Sequence, residues 1–549
     1  MKKKHIILQA LSAITLLVAS SSCSKKIDEA YANPNALVKQ PIETLLPNII
    51  ANMCISNTAQ GSLYGPQNDG QYVGRYVQFW ATNTSLNQYD QMGQTTTNST
   101  AAAADIGGSQ WAMHYYGMGQ NITKVIEWGT EEAKWDYVGA AYAMRAFGWL
   151  AVTDMHGEAI LKDAFDPTRL VFSYDTQQEI YEEAKRCCRL AIENLSKTGG
   201  GVSSANLELG AKYCSMKGDV EKWKKFTYGI MARIYHRTTN KADYKPDSVI
   251  HYAKLAAQTN ADNSYILFEG ATSPKSSYYG PLRGNIQTFR QTRFVADLMS
   301  GTNTAFPTGI IDPRAWYKLR ENANGTFKGI RPNKGLNDGL AANDVPPNFF
   351  GLAAIATTPA VDRYIFGNDM PWPLMTASEM QFLIAEAYYR KGAAEKNNAR
   401  NAYINGITLD FDMLPATYPR NIPPARVITG SVRDIYLANP LVVPALADFN
   451  LSHIMLQKYI ALYGFGFMET WADMRRYHYT DPETGTARQV YTDFAPPTGA
   501  DLFTNNGGKW IYRVRPRYNS EFLYNVDALS QIGALALDFH TKRQWFTEP

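Results

Sequence analysis

Four carboxylates, Asp154, Glu158, Asp163 and Asp166, lie close together in the sequence. Two carboxyl groups flanking a glycosidic bond can cleave it as acid and base or nucleophile, so a glycosidase or peptidase is one chemistry to weigh. Loop carboxylates that cap helices and turns have the same look. Motifs that would strengthen the enzymatic reading are missing: there is no HExxH, GxSxG, GxGxxG or Walker A sequence, and Gly508-Lys509 is followed by Trp510. The eight histidines show no short spacing suited to metal coordination. The sequence therefore calls for no cofactor and no metal. Residues suited to holding a polar ligand are plentiful. In segment 70–89, Tyr72, Tyr76, Trp80 and Tyr89 interleave with Arg75, Gln78 and Asn83. Rings supply stacking surfaces, while amide and guanidinium groups supply a few oriented hydrogen bonds. Tyr278, Tyr279, Phe289 and Arg290 repeat the mixture further along. The spacing of Tyr72, Tyr76 and Trp80 also fits one buried helix face, and both readings stand on sequence alone.

The N-terminus reads as an address. Met1 to Lys4 is basic, Ile6 to Ala19 is mostly apolar, and Ser20, Ser21 and Ser22 lead into Cys23. The apolar run is short for a membrane span and has the form of a secretory signal. Its exit is similar to a bacterial lipobox, in which the cysteine thiol is lipidated and becomes the first mature residue; Ser20 stands where Leu is commonest. Ordinary cleavage after a small residue is the alternative. Acyl chains contribute about 0.8 kcal/mol per buried methylene, so several on Cys23 would hold the chain on a membrane. This division gives a signal at 1–22, a polar tether at 23–40 and a single domain at 41–549.

Composition excludes several classes. Lys+Arg number 54 and Asp+Glu 50, a net charge of +4. Loss of the signal with Lys2, Lys3 and Lys4 lowers this to +1, too little to bind nucleic acid through its phosphates. A hydrophobic content of 45% and a charged content of 19% are those of a globular chain rather than a disordered one. Mean hydropathy is −0.32, and no membrane-length apolar run follows the N-terminus. Cys54, Cys187, Cys188 and Cys214 form no CxxC and no disulfide framework; a Cys54–Cys214 bridge is left open.

The elements that must position these residues are helices. Apolar residues recur at helical spacing in four pairs, near 139–195, 219–258, 377–408 and 451–477. Ile180, Ala184, Cys187, Cys188, Ala191 and Leu195 make one such stripe, and Met380, Leu383, Ile384, Ala387 and Tyr388 another. The expected fold is mainly all-α, with tetratricopeptide-like pairs whose irregular starts imply long insertions. A plain helical bundle is the simpler alternative. The stretches near 58–119 and 262–376, rich in Gly, Asn, Pro and aromatics, are the expected ligand-binding insertions, and 478–526 is similar in character.

Several of these segments resemble the SusD/RagB family of outer-membrane nutrient-binding lipoproteins. They are NPN at 33–35, LLP at 45–47, AYAMRAFGWLAVTDMHGEAILKDAFDP at 141–167, PLMTASEMQFLIAEAYYRKG at 373–392, YIALYGFGFMETWADMRRY at 459–477 and RPRYNSEFLYN at 515–525. Ala159-Ile160 and Asn519 stand where the family pattern has Pro. Glu379, Glu386, Asp473, Arg475, Arg476, Glu521 and Asn525 within these motifs are expected to be buried or capping partners. The resemblance implies a SusD-like fold without catalysis. It also implies an anchored position on the outer membrane, facing outside, and delivery of a glycan or peptide to a SusC-like TonB-dependent transporter. A secreted lipoprotein hydrolase and a helical-repeat assembly scaffold are the competing functions.

Overall fold

One long helix that is buried on all sides alternates large side chains with glycine and alanine. In a computed structural model describing residues 39–53, 56–57, 62–63, 65–85, 89–93, 106–272, 275–351 and 361–549, helix accounts for 51% and strand for 4%, so the fold is all-α. In chain order the principal helices are α1 (Ile42–Ala51), α2 (Pro66–Tyr76), α3 (Gly119–Glu131), α4 (Trp135–His156), α5 (Gln177–Leu195), α6 (Val220–Arg237), α7 (Pro246–Leu255), α8 (Ala377–Arg390), α9 (Lys396–Thr417), α10 (Leu451–Leu462) and α11 (Phe467–Arg476). Helix α4 is buried along nearly its whole length. A helix apolar on every side belongs in the middle of a core. At Gly139, an added Cβ would lie 2.5 Å from Leu195, so the glycine sets how closely α4 and α5 approach.

The four expected pairs form. Helix α5 buries Ile180, Ala184, Cys187, Cys188, Ala191 and Leu195, and Thr176 with Glu179 closes a capping box at its start. Asp219 caps α6 by accepting from the amides of Glu221 and Lys222, and Pro246 opens α7 at a position where a missing N–H costs nothing. Gly392, at φ +98°, ends the α8 side of the third pair. Helix α9 runs on to Thr417, well past the expected end near 408. Successive helices pack as a continuous array, α4 on α5, α5 on α6, α6 on α7, α7 on α8 and α8 on α9 and α10. Residues from Ile42 to Pro549 cluster as one unit.

Polar contacts run through the middle of this array. Arg233 on α6 holds Glu379 on α8 at 2.7 Å; Arg237 holds Asp154 on α4 at 2.9 Å and Glu469 on α11 at 2.5 Å. Arg476 binds Glu386 at 2.8 Å and Asp473 at 2.6 Å, and Lys458 reaches Asp473 at 2.7 Å. Every one of these side chains is buried. Charges taken out of water need such partners, opposite charges or hydrogen bonds, to be tolerated. The expectation for Glu379, Glu386, Asp473 and Arg476 is met. Arg475 lies 3.9 Å over the Trp471 ring and donates to the carbonyls of Asp154 and Tyr512. Glu521 accepts from the Tyr174 hydroxyl, and the Asn525 amide bonds both ways with the backbone of Phe172.

The first insertion departs from its expected irregularity. Pro66–Tyr76 is helical, and its buried face mixes Val73 and Tyr76 with Gln67, Asn68, Asp69, Gly70 and Gly74. Part of that face is glycine: a Cβ at Gly74 would fall 2.4 Å from the Trp80 ring. Four short strands follow, β1 (Trp80–Thr82), β2 (Ser264–Ile266), β3 (Phe289–Gln291) and β4 (Trp372–Met375). Strand β1 pairs antiparallel with β3, setting Trp80 opposite Gln291 and Thr82 opposite Phe289, and β2 pairs with β4. The β1–β3 ladder ties the two expected ligand-binding insertions together.

Candidate functional site

Most of the aromatic residues expected to form platforms are instead core. Trp80 is fully buried, its ring 6.1 Å from Phe289 and 5.5 Å from Tyr279, and its Nε1 donates to the Gln71 carbonyl. Tyr76 packs against Tyr89, Trp471 and Tyr479 with no exposed surface. Tyr278 donates to the Asn68 side chain at 2.8 Å, and Tyr279 is enclosed between Trp80 and Trp372. Phe289 and Arg290 sit in the β3 ladder; burial lowers the Arg290 pKa to about 10, and its Nη1 donates to the Phe289 carbonyl. Large rings gain more from such enclosure than from half-exposure, which is why the core reading prevails at these positions. Nor do Tyr76 and Trp80 share a helix face, since α2 ends at Tyr76 and Trp80 lies in β1. Tyr72 and Arg75 remain half-buried and stack on one another, the guanidinium 5.3 Å from the ring centre. Asn83 is also half-buried, but its backbone is committed to Thr288 and Leu336.

The concavity that the two insertions create lies beside these residues. Of the eleven candidate residues, Gln78 and Tyr89 line it, with 5% and 7% of their surface exposed. It is a cleft of about 630 Å³, bounded by Arg293 and Asp297, by Thr302, Asn303 and Thr304, by Arg331 and Lys334, and by the segment from Asp493 to Asp501. Its charges are balanced locally. Arg293 meets Asp297 at 3.3 Å, Arg331 meets Asp338 at 2.6 Å and Lys334 meets Asp501 at 3.1 Å. Asp493 accepts from the amide and hydroxyl of Thr304 at 2.7 and 2.8 Å. Those exposed ion pairs contribute little to stability, yet they present many oriented donors and acceptors to a polar ligand.

A second hollow of about 740 Å³ adjoins the first, and Thr498 borders both. Its walls are Gly499, Ala500, Leu502, Phe503, Thr504, Gly508 and Trp510, without an ionisable side chain. Trp510 is half-buried; its Nε1 donates to the Pro497 carbonyl at 3.1 Å, and the ring stands edge-on to Tyr479. A committed N–H and a packed aromatic neighbour fix the ring plane, and the half-buried ring lines the hollow where a ligand could stack. The sequence places Trp510 in the irregular segment 478–526, similar in character to the two expected ligand-binding insertions, without singling it out. The turn run Ala495-Pro496-Pro497 and the pair Gly507-Gly508 around that Trp were the available signals.

Neither the carboxylates nor the histidines assemble a reaction centre among the described residues. Asp154 is held by Arg237 and by the Tyr181 hydroxyl, and Glu158 by Arg513. Asp163 pairs with Arg169, and Asp166 caps the Thr168 amide. His236, Glu386 and Asp473 bring ligand atoms within 4.8 Å of one another. Arg476 and Lys458 already neutralise those carboxylates, however, and a cation added there would meet like charge. Burial holds His236 neutral, with its pKa lowered to about 4. Cys187, Cys188 and Cys214 are buried free thiols, the first two within the core stripe of α5; Cys23 and Cys54 lie outside the described residues.

Comparison with known proteins fits this architecture. A family profile described as "Starch-binding associating with outer membrane" matches residues 34–493. The chain belongs to the SusD/RagB family. Among solved structures, a SusD/RagB family protein from Bacteroides thetaiotaomicron superposes with a TM-score of 0.66 at 19% identity, covering 92% of this chain and 99% of that one. A chitin-binding SusD homologue from Flavobacterium johnsoniae gives 0.64 at 18%, covering 92% and 98%. A SusD homologue from Bacteroides fragilis gives 0.64 at 16%, covering 92% and 100%. No curated protein matches the chain in sequence. No helix among the described residues is long and apolar enough to cross a membrane.

Proposed function

We propose that this chain is a non-catalytic, lipid-anchored surface protein that captures an oligosaccharide and passes it to a SusC-like TonB-dependent transporter. The observation that carries this reading is the pair of adjoining hollows. One is rich in balanced charges, amides and hydroxyls; the other is uncharged and lined by Phe503 and Trp510. A sugar has both characters, hydroxyls around its rim and an apolar C–H face, and a chain of sugars lying across Thr498 would use both. The family description names starch and one structural neighbour is chitin-binding, which favours a glycan over a peptide. Anchoring would come from Cys23. The hydrolase alternative needs uncommitted carboxylates, and Asp154 and Glu158 are engaged.

The test is calorimetric titration of the soluble domain with starch, chitin, xylan and mannan oligosaccharides, with a tryptic peptide mixture in parallel. A glycan should bind without being cleaved. Trp510→Ala should weaken that binding at least about tenfold while the melting temperature stays close to wild type, as for a stacking residue worth about 1.4 kcal/mol or more. Binding of peptides alone would overturn the glycan assignment. Co-purification of a large barrel protein from solubilised outer membrane checks the transporter, and loss of membrane association in Cys23→Ala checks the anchor.

A further inference from the structure

The loop that walls the hollow carrying Trp510 is held at its ends by Asp501 with Lys334 and by Lys509 with Asp538, and at its middle by one buried carboxylate. Asp90, next to the cleft-lining Tyr89, is fully buried. Its Oδ1 accepts from the Phe503 amide at 3.0 Å and its Oδ2 from the Asn506 side-chain amide at 2.6 Å. Asn506 in turn accepts from His540 Nε2 at 2.5 Å, and the His540 carbonyl accepts from the amides of Tyr512 and Arg513. The contacts join segments more than 400 residues apart, the Asp90–Phe503 separation being 413. Phe503 and Thr504 line the hollow from the chain before Asn506, and Gly508 and Trp510 line it from the chain after. Beyond Asn506 the chain turns through Gly507 and Gly508, both at positive φ, straight to Trp510.

We propose that Asp90, acting through Asn506 and His540, is the positioning residue that sets the gap between these two stretches of chain and the plane of Trp510. The residue type supports this. Both oxygens must accept, from two donors that would otherwise be buried without partners; a carboxylate does so and a single amide in one orientation does not. The arrangement opposes the natural tendency of the group, since burial raises the Asp90 pKa to about 7. The other titratable groups around the clamp are Asp501, Tyr76, Tyr89, Arg515 and Asp538, none of which forms an ion pair with Asp90. A costly buried acid here serves geometry rather than charge pairing.

The inference rests on the binding role proposed above only for its second readout. The first readout is ligand-free: the fluorescence of Trp510, taken as the difference between the protein and its Trp510→Phe form. In Asp90→Ala this emission should move to longer wavelength, with acrylamide quenching raised about twofold, and glycan affinity should fall about tenfold, because a site left unorganised pays for ordering on binding. The exchange Asp90→Asn with Asn506→Asp rebuilds every hydrogen bond with the charge moved one residue along. It should recover both readouts to within about twofold, as coupled partners do in a double-mutant cycle. Recovery separates positioning from simple loss of folding. An unchanged Trp510 signal in Asp90→Ala, or an exchange variant that does not recover, overturns the proposal. If the fluorescence follows the clamp while no glycan binds the wild type, the glycan reading fails and the clamp stands.

Discussion

Trp80 illustrates how far residue type alone can carry a reading. Its neighbours Tyr72, Arg75, Tyr76 and Asn83 have the composition of a sugar-binding segment, and the same composition serves equally for a core in which tyrosine hydroxyls find partners. Nothing in the spacing separates the two, because the deciding fact is what packs on top. Phe289, Tyr279 and Phe349 close over Trp80, and they come from segments more than 190 residues away. Trp80→Ala should therefore cost about 3–5 kcal/mol, read as a lowered urea midpoint, with glycan affinity little changed in the fraction still folded. Trp510 is the opposite case. It stands between the turn Gly507-Gly508 and the buried Ile511 and Tyr512, so nothing in its neighbourhood marks it as other than core, and its half-exposure at the hollow emerges only in the fold.

Helices were the legible elements, for identifiable physical reasons. The stripe from Ile180 to Leu195 can bury only as a helix, Thr176 and Glu179 mark its start, and Pro246 and Gly392 punctuate later pairs. Helix α2 was partly legible: the spacing of Tyr72 and Tyr76 allows a helix, but Gly70 and Gly74 make much of its contact by leaving room for Phe467 and Trp80, which no apolar pattern reveals. The cleft was only partly legible: its insertions could be located by composition, but its walls are assembled by contacts such as Thr304 to Asp493, 189 residues apart. At this scale the capping box is the simplest lever. Thr176→Ala should lower stability by about 1 kcal/mol without altering binding, measured by denaturant unfolding and titration on the same sample.

Across the whole molecule, the first helix pair is completed by residues from the far end of the sequence. Gln544 accepts from Arg475 at 2.9 Å and donates to the Met155 carbonyl, and the Phe546 ring lies 5.1 Å from the Arg475 guanidinium with no surface exposed. Removing residues 544–549 strips one face from a buried cation. The melting temperature should fall, since a buried hydrogen bond to a charged group is worth about 1.5–3 kcal/mol and the burial of Phe546 is lost with it. A single unfolding transition should be kept in scanning calorimetry, because the polar contacts linking α4, α6, α8 and α11 leave no helix pair free to melt alone.

That same spine constrains the order of events during synthesis. As the chain elongates, Asp154 emerges first, its partner Arg237 comes 83 residues later, and Glu469 follows Arg237 by another 232. Until the last of them arrives, a half-built array would have to enclose charges whose counter-ions do not yet exist. The incomplete chain is therefore held open by its own solvation, and collapse waits for the full set. Long-range closure of this kind folds slowly. It also leaves a window in which the growing polypeptide can still be threaded through a narrow pore.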